Sequence, residues 1–300
     1  MLKGVLAGLA AGALWGLVFV APRLTPGLSP VDLVAGRFVS FGVISVLVMV
    51  LARSVHQRPT AGQALAALGM SVLGFSGYYL LLVLAIEGAG TEVPTLVIGT
   101  IPIWVMLLGK PRGLKWTALL PGLLLTAAGL LLMMRITFTT NPAALVPSGS
   151  HYGQGVAWAV AAVVCWTSFA VLNAAWLKRH PDVSATEWTN WLGIATGVGA
   201  VLLWLVAGSD VKALRALDNI GSSAMVCMAT GVGSAWVAAI FWNIASRRLS
   251  VSLCGQLIIS ETLFALMYSF GLAGTWPGAP QLLAALLFTL GVLASIRAHR

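Results

Sequence analysis

The chain reads as long apolar runs separated by short breaks rich in proline, glycine and polar residues. Ten runs reach span length: 3–21, 31–52, 63–86, 91–109, 116–134, 154–177, 184–207, 220–245, 251–273 and 279–296. A helix needs about 20 mainly apolar residues to cross the hydrocarbon core, so each run predicts one membrane helix. The breaks carry turn chemistry, as at Pro22 to Pro30, His56 to Gly62, Lys110-Pro111-Arg112-Gly113, Asn141 to Gly155 and Thr275-Trp276-Pro277-Gly278. The first run follows a single Lys3 and is too long for the apolar region of a cleavable leader, so it is read as the first span. The pattern predicts an all-α integral membrane protein of ten transmembrane helices.

Composition agrees. Charged residues make up 8% of the 300, against about 25% in an ordinary soluble domain, while hydrophobic residues make up 59%. So few charges cannot cover a soluble globule, and so apolar a chain is not disordered. The net charge of +9 has a positional explanation. With the N-terminus inside, 12 basic residues fall on the inner side (Lys3, Arg53, Arg58, Lys110, Arg112, Lys115, Lys178, Arg179, Arg247, Arg248, Arg297 and Arg300). Four fall outside (Arg23, Arg135, Lys212 and Arg215), and Arg37 lies within a span. Cytoplasmic loops gather Lys and Arg, so both termini are expected in the cytoplasm, and no nucleic-acid partner is needed to explain the charge. Cys165, Cys227 and Cys254 lie in apolar runs without CxxC spacing, which indicates neither a zinc site nor a disulfide framework. No phosphate-binding GxxxxGK[ST] loop occurs and no loop could hold a nucleotide domain, so no cofactor is expected.

The two halves are weakly similar. Ala13-Leu14-Trp15 matches Val164-Cys165-Trp166, and Pro30 matches Pro181, at an offset of 151. Ala85-Ile86 matches Ala245-Ser246, and Ile101-Pro102-Ile103-Trp104 matches Glu261-Thr262-Leu263-Phe264, at an offset of 160. Units of five spans, an odd number, must enter the membrane in opposite senses, and such inverted repeats are a transporter signature. The expected organisation is a first five-helix repeat over 1–137, an outer linker over 138–153 and a second, inverted repeat over 154–300.

These residues carry a resemblance. Ala13-Leu14-Trp15-Gly16-Leu17-Val18-Phe19, the Arg37-Phe38 pair in span 2, the run from Tyr78-Tyr79 to Ala85-Ile86, Ile101-Pro102-Ile103-Trp104 and Ser260-Glu261-Thr262-Leu263-Phe264 resemble, in order and spacing, the EamA-type branch of the drug/metabolite transporter superfamily. Within it the chain looks most like the YddG-type bacterial exporters of aromatic amino acids. The resemblance implies a multi-pass protein of the bacterial inner membrane, a monomeric secondary carrier that exports small metabolites by alternating access. Aromatic and neutral hydrophobic amino acids lead as substrates. Multidrug or quaternary-cation export is the alternative, and a passive channel a more distant one. Its partners would be the small-molecule substrate and the lipid bilayer. One departure stands out: where the family's span 9 usually reads Glu-Pro, this chain has Glu261-Thr262, so a kink there should be weaker or displaced.

Candidate functional residues follow from what lies deep in the spans. Trp15, Tyr78, Tyr79, Trp166, Trp188 and Trp242 could stack on flat apolar side chains and hold an ammonium by cation–π attraction, or simply pack helices together. Asn173 and Asn243 could orient a zwitterion, or bond across helices. An ionised group at mid-membrane costs at least about 2.5–3.5 kcal/mol, so Arg37 and Glu261 each need a partner or a water-filled cavity. Arg37 could bind a substrate carboxylate, or pair structurally near the outer interface. Glu261 could bind an ammonium, couple protons or make a structural hydrogen bond. Gly4, Gly8, Gly12 and Gly16 form a ladder that admits a close neighbouring helix. Pro94, Pro102 and Pro121 are expected to bend spans 4 and 5. The string Gly74-Phe75-Ser76-Gly77 matches the GxSG of intramembrane serine proteases, but no span holds the histidine that chemistry requires, so small-residue packing is the expected role and no catalytic residue is assigned.

Overall fold

The computed structural model describes residues 1–52, 59–90, 92–140 and 151–299. Arg53, His56, Arg58 and Arg300 lie outside these, as does residues 141–150 of the expected linker. Among the described residues every regular element is helical. Nine helices are long and apolar enough to cross a membrane: α1 (Leu2–Gly16, continued by a 3₁₀ turn Leu17–Phe19), α2 (Pro30–Leu51), α3 (Ala61–Ala89), α5 (Trp116–Thr140), α6 (Tyr152–Arg179), α7 (Ala185–Ala207), α8 (Ile220–Arg248), α9 (Val251–Ala273) and α10 (Ala279–Ala298). The remaining apolar segment, span 4, is divided into α4a (Glu92–Ile98) and α4b (Ile101–Leu108).

Proline placement explains the division. Pro102 has no N–H to give the Ile98 carbonyl, so the helix stops at Ile98 and restarts one turn before Trp104. Thr100 mends part of the gap: its Oγ1 donates to the Val97 carbonyl at 2.6 Å and accepts from Trp104 Nε1 at 3.1 Å. Pro94 and Pro121 break nothing. Pro94 sits in the first turn of α4a, where no intrahelical N–H bond is owed, and α5 runs on past Pro121. In α9 the matching position is Thr262, and the helix is continuous.

The order in which helices abut shows alternating traversals. Gly4 of α1 lies against Arg248 and Leu249 at the close of α8, Gly109 after α4b receives a hydrogen bond from Ser252 N of α9 at 3.1 Å, and Gly88 near the close of α3 touches Gly155 at the start of α6. The bundle therefore has one end where α1 begins and α8 closes, called here the terminal end, and an opposite far end.

Close approach is set by glycine. A Cβ on Gly42 of α2 would stand 2.9 Å from the Gly197 Cα of α7, and the converse distance is the same. Between α5 and α10, a Cβ on Gly122 would lie 3.4 Å from the Gly291 carbonyl, and one on Gly291 would lie 3.4 Å from the Gly122 carbonyl. Both α3 and α8 carry a π-helical stretch, Val72–Ser76 and Gly231–Val237, at matching places.

Candidate functional site

The glycine ladder of α1 meets the close of α8 at Gly4 and α9 from Gly8 onward. Cβ atoms added at Gly4 and Gly8 would meet the side chains of Leu249 and Leu257, whereas those at Gly12 and Gly16 would meet Ser260, the Glu261 backbone and Ala265 N. The backbone of Glu261 is thus held beside the last turns of α1, where Trp15 projects. Three tryptophans from three helices contact one another there: Trp15 to Trp242 with ring centroids 5.3 Å apart, Trp166 to Trp242 at 5.9 Å and Trp15 to Trp166 at 6.3 Å. The Trp242 Nε1 is buried and has no hydrogen-bond partner among the described residues.

Aromatic contacts continue from this triad into α2 and α3. Trp166 touches Phe169, Phe169 touches Phe75, and Phe75 touches Phe38 and Phe41. Phe38 then meets Tyr79, whose neighbour Tyr78 completes the row. Phe75 belongs to the GxSG string, whose Gly74 is the seat for the Phe169 ring, 2.5 Å from where a Cβ would stand. The string is a π-helical packing surface.

Arg37 is 5% exposed and turns into the bundle. Its Nη1 donates to the Tyr79 hydroxyl at 3.0 Å and its Nη2 to the Ser234 carbonyl at 3.1 Å, while the Cζ lies 5.2 Å from the Phe38 ring centroid. A π-helical stretch departs from the ordinary i to i+4 ladder, which is how a mid-helix carbonyl in α8 comes to serve a side chain. Arg37 thereby ties α2 to α3 and α8 at mid-bundle. Glu261 is half-buried and has neither hydrogen-bond nor ion-pair partner among the described residues, though it lies within electrostatic reach of Arg37 and Tyr78.

Seven of the candidates, Trp15, Arg37, Tyr78, Tyr79, Trp166, Trp242 and Glu261, therefore share one mid-bundle region. Asn173, Asn243 and Trp188 share another, nearer the terminal end. Trp188 Nε1 donates to Asn173 Oδ1 at 2.6 Å, Asn173 Nδ2 to Asn243 Oδ1 at 2.9 Å, and Asn243 Nδ2 to Thr189 Oγ1 at 2.9 Å. Trp188 also stacks on Trp176 at 3.6 Å. This chain of bonds fastens α6, α7 and α8. A similar fastening joins α5, α9 and α10, where Gln256 donates to Thr126 at 2.9 Å and accepts from Ser295 at 3.1 Å.

Sequence reading missed Phe38, Phe75, Phe169 and Ser234. Phe38 stood beside Arg37 and Phe75 inside a string noted for other reasons, so both were within reach. Nothing local marks Phe169, or a backbone carbonyl such as that of Ser234.

Apolar helices enclosing an opposed pair of charges among aromatic rings, with no metal-binding cluster among the described residues, define the class: a multi-pass membrane protein with a polar interior. Comparison sharpens this. The model of the EamA-like transporter family matches residues 2–135. The inner membrane protein YtfF of Escherichia coli (strain K12) is 33% identical over 316 residues, spanning 99% of this chain and 96% of that one. A solved crystal structure at 22% identity superposes with a TM-score of 0.77, covering 99% of this chain and 98% of the other, which shows a shared fold. The chain belongs to the EamA-like transporter family. It is a multi-pass inner-membrane transporter of a small molecule and not an enzyme. The relative found is YtfF, not a YddG-type exporter, and its name carries no substrate.

Proposed function

We propose that the chain is a secondary exporter of aromatic and neutral hydrophobic amino acids, with both termini cytoplasmic and two inverted five-helix repeats exchanging conformations around the mid-bundle region. The observation that carries this is the placement of Arg37 and Glu261, opposite in charge and not bonded to each other, in one region with the Trp15–Trp166–Trp242 triad. An amino acid presents a carboxylate, an ammonium and an apolar side chain, and the region offers a guanidinium, a carboxylate without a protein partner and aromatic faces. Without a counterpart, Glu261 is costly at mid-membrane, and a substrate ammonium would supply one.

The repeat is supported by matched features. Ser29 caps α2 as Ser184 caps α7, and Gly42 matches Gly197, each pair 155 residues apart, which pairs Pro30 with Ala185 in place of Pro181. Gly122 and Thr126 match Gly291 and Ser295 at 169 residues, and the π-helical stretches of α3 and α8 fall at about the offset of 160 read from the sequence. The helix neighbours follow the same exchange: α1 packs on α8 as α6 packs on α3, and α2 with α7, α4b with α9 and α5 with α10 pack on their own counterparts.

The test is counterflow in vesicles holding the purified chain. Phenylalanine and leucine should be carried and show trans-stimulation, while phenethylamine, which lacks the carboxylate, should be carried poorly. R37Q should weaken uptake of the amino acids more than of the amine. Preference for the amine over phenylalanine would overturn this reading in favour of an organic-cation exporter, the reading that unpartnered Glu261 also serves. Flux without trans-stimulation would indicate a channel.

A further inference from the structure

At the terminal end, α6 and α8 cap one another. Lys178 Nζ of α6 donates to the carbonyl of Leu249, which closes α8, at 2.8 Å, and Arg247 Nη2 of α8 donates to the carbonyl of His180, which closes α6, at 3.1 Å. Each cation sits on the negative end of its neighbour's helix dipole. Under the repeat, the counterparts of these two helix ends are the closes of α1 and α3 at the far end.

The correspondence holds residue by residue. Arg23 lies two residues before Thr25, which closes the short helix Ala21–Leu24, as Lys178 lies two residues before His180. Thr25 returns its side chain to the carbonyl four residues back, at 3.1 Å, as His180 does at 2.9 Å. Arg23 and Lys178 each stand six residues before the capping serine of the next span, Ser29 and Ser184. At the offset of 160, Arg247 matches Glu87. The far-end counterparts of Lys178 and Arg247 are thus Arg23 and Glu87, opposite in charge. Both are exposed, and neither side chain has a hydrogen bond or ion pair among the described residues.

Their supports differ. Asn219 Nδ2, just before α8, donates to the Pro26 carbonyl at 2.9 Å and holds the segment carrying Arg23 to α8. Gly88 and Gly155 hold the close of α3 to the start of α6. One body pairs α1 with α8, the other α3 with α6. Hydrogen bonds tie the two at the terminal end, and among the described residues none does so at the far end.

We propose that Arg23 and Glu87 form the far-end gate of the transport cycle. The structure is the state closed at the terminal end. When the α1/α8 pair rocks against the α3/α6 pair, the Lys178 and Arg247 caps release, and the Arg23 guanidinium and Glu87 carboxylate meet. The proposal rests on the alternating-access reading above and commits to which surface residues close the outer side.

The test uses the full chain in lipid vesicles. In R23C/E87C, oxidative cross-linking should be slow at rest and faster during counterflow of phenylalanine, and the cross-linked carrier should stop until reduced; wild type, with its three native cysteines, is the control. Adding K178Q and R247Q should raise cross-linking without any substrate, by releasing the opposite end. This arm reads the gate even if the substrate has been misassigned: absent phenylalanine flux with raised cross-linking would overturn the substrate and leave the gate standing. R23E and E87R alone should each slow counterflow, and R23E/E87R should restore it to within about two-fold of wild type, since an exposed ion pair of up to about 1 kcal/mol corresponds to at most about five-fold. No cross-link in either background, or a charge-swapped pair as slow as the single variants, would overturn the gate.

Discussion

The α1 ladder makes a graded prediction, because four glycines on one helix face meet obstacles of different kinds. Alanine at Gly8 would place a Cβ 2.6 Å from Leu257 Cδ1, the free end of a side chain that can turn away. At Gly4 the nearest atoms are the Leu249 side chain at 2.9 Å, which can turn away, and Arg248 Cβ at 3.0 Å, at the exposed close of α8, which can give by a few tenths of an ångström. A displaced rotamer costs about 0.5–1.5 kcal/mol, and replacing a helical glycine by alanine returns about 1 kcal/mol, so G4A and G8A should be close to neutral. At Gly16 the obstacles are Ala265 N at 2.9 Å and the Glu261 carbonyl at 3.2 Å, and at Gly12 they are the Ser260 hydroxyl and Glu261 N at 3.1 Å. Backbone cannot step aside without moving α9, and overpacking of this kind costs about 1–3 kcal/mol. G12A and G16A should therefore be less stable than G4A and G8A by roughly that amount, as read by denaturation in detergent followed through tryptophan fluorescence. They should also lose more counterflow activity than their stability explains, because the backbone they displace carries Glu261. Equal stability across the four variants would refute the claim that close backbone contact with α9, and not helix propensity, selects glycine at positions 12 and 16.

Other outcomes follow from the polar contacts. N173L strands Trp188 Nε1 and Asn243 Oδ1, at about 1–3 kcal/mol for each buried orphan, and should lower stability while leaving the order of substrate preference unchanged; altered preference at full stability would put Asn173 in the substrate path. Q256L should be milder, about 0.6 kcal/mol for each lost cross-helix bond, because Thr126 and Ser295 can turn their hydroxyls to carbonyls of their own helices; a melt as low as that of N173L would contradict this. E261Q should slow amino-acid counterflow, by removing the carboxylate offered to the substrate ammonium, and should flatten the pH dependence of uphill transport; an unaltered pH profile would remove Glu261 as the coupling group. P102A restores a donor for the Ile98 carbonyl and should join α4a to α4b, slowing transport; hydrogen exchange at Gly99–Ile103 as fast as in wild type would show that the break has another cause.

What the sequence disclosed and what it hid differ in physical kind. Apolar length is a one-dimensional property, so all ten segments were legible, including the one that Pro102 divides. The division was only half legible. Three prolines were candidates for bending, and what separates Pro102 from Pro94 and Pro121 is position along the helix: Pro94 falls in a first turn that owes no hydrogen bond, and α5 passes through Pro121 without interruption. The ladder in α1 was visible as spacing, but not the identity of its neighbour, since close approach to α9 depends on how the bundle assembles. The π-helical stretches left no signal, and without them the Ser234 carbonyl could not have been expected to hold Arg37.

Embedded polar residues show the limit most sharply. Read along the chain, Asn173, Asn243, Gln256 and Glu261 are alike: each is a polar group that lipid will not solvate. Lipid demands only that such a group be satisfied, and it can be satisfied by another helix or by cargo. The distinction lies in the partners. Asn173, Asn243 and Gln256 reach partners on neighbouring helices, whereas Glu261 reaches none among the described residues and yet sits at mid-span within electrostatic reach of Arg37 and beside the last turns of α1. Under the proposed function, the partner of Glu261 arrives during the work of the protein, as a proton or as a substrate ammonium. The amides belong to the framework by the same reasoning, and the contrast between N173L and E261Q separates the two roles: the first should cost stability, the second transport.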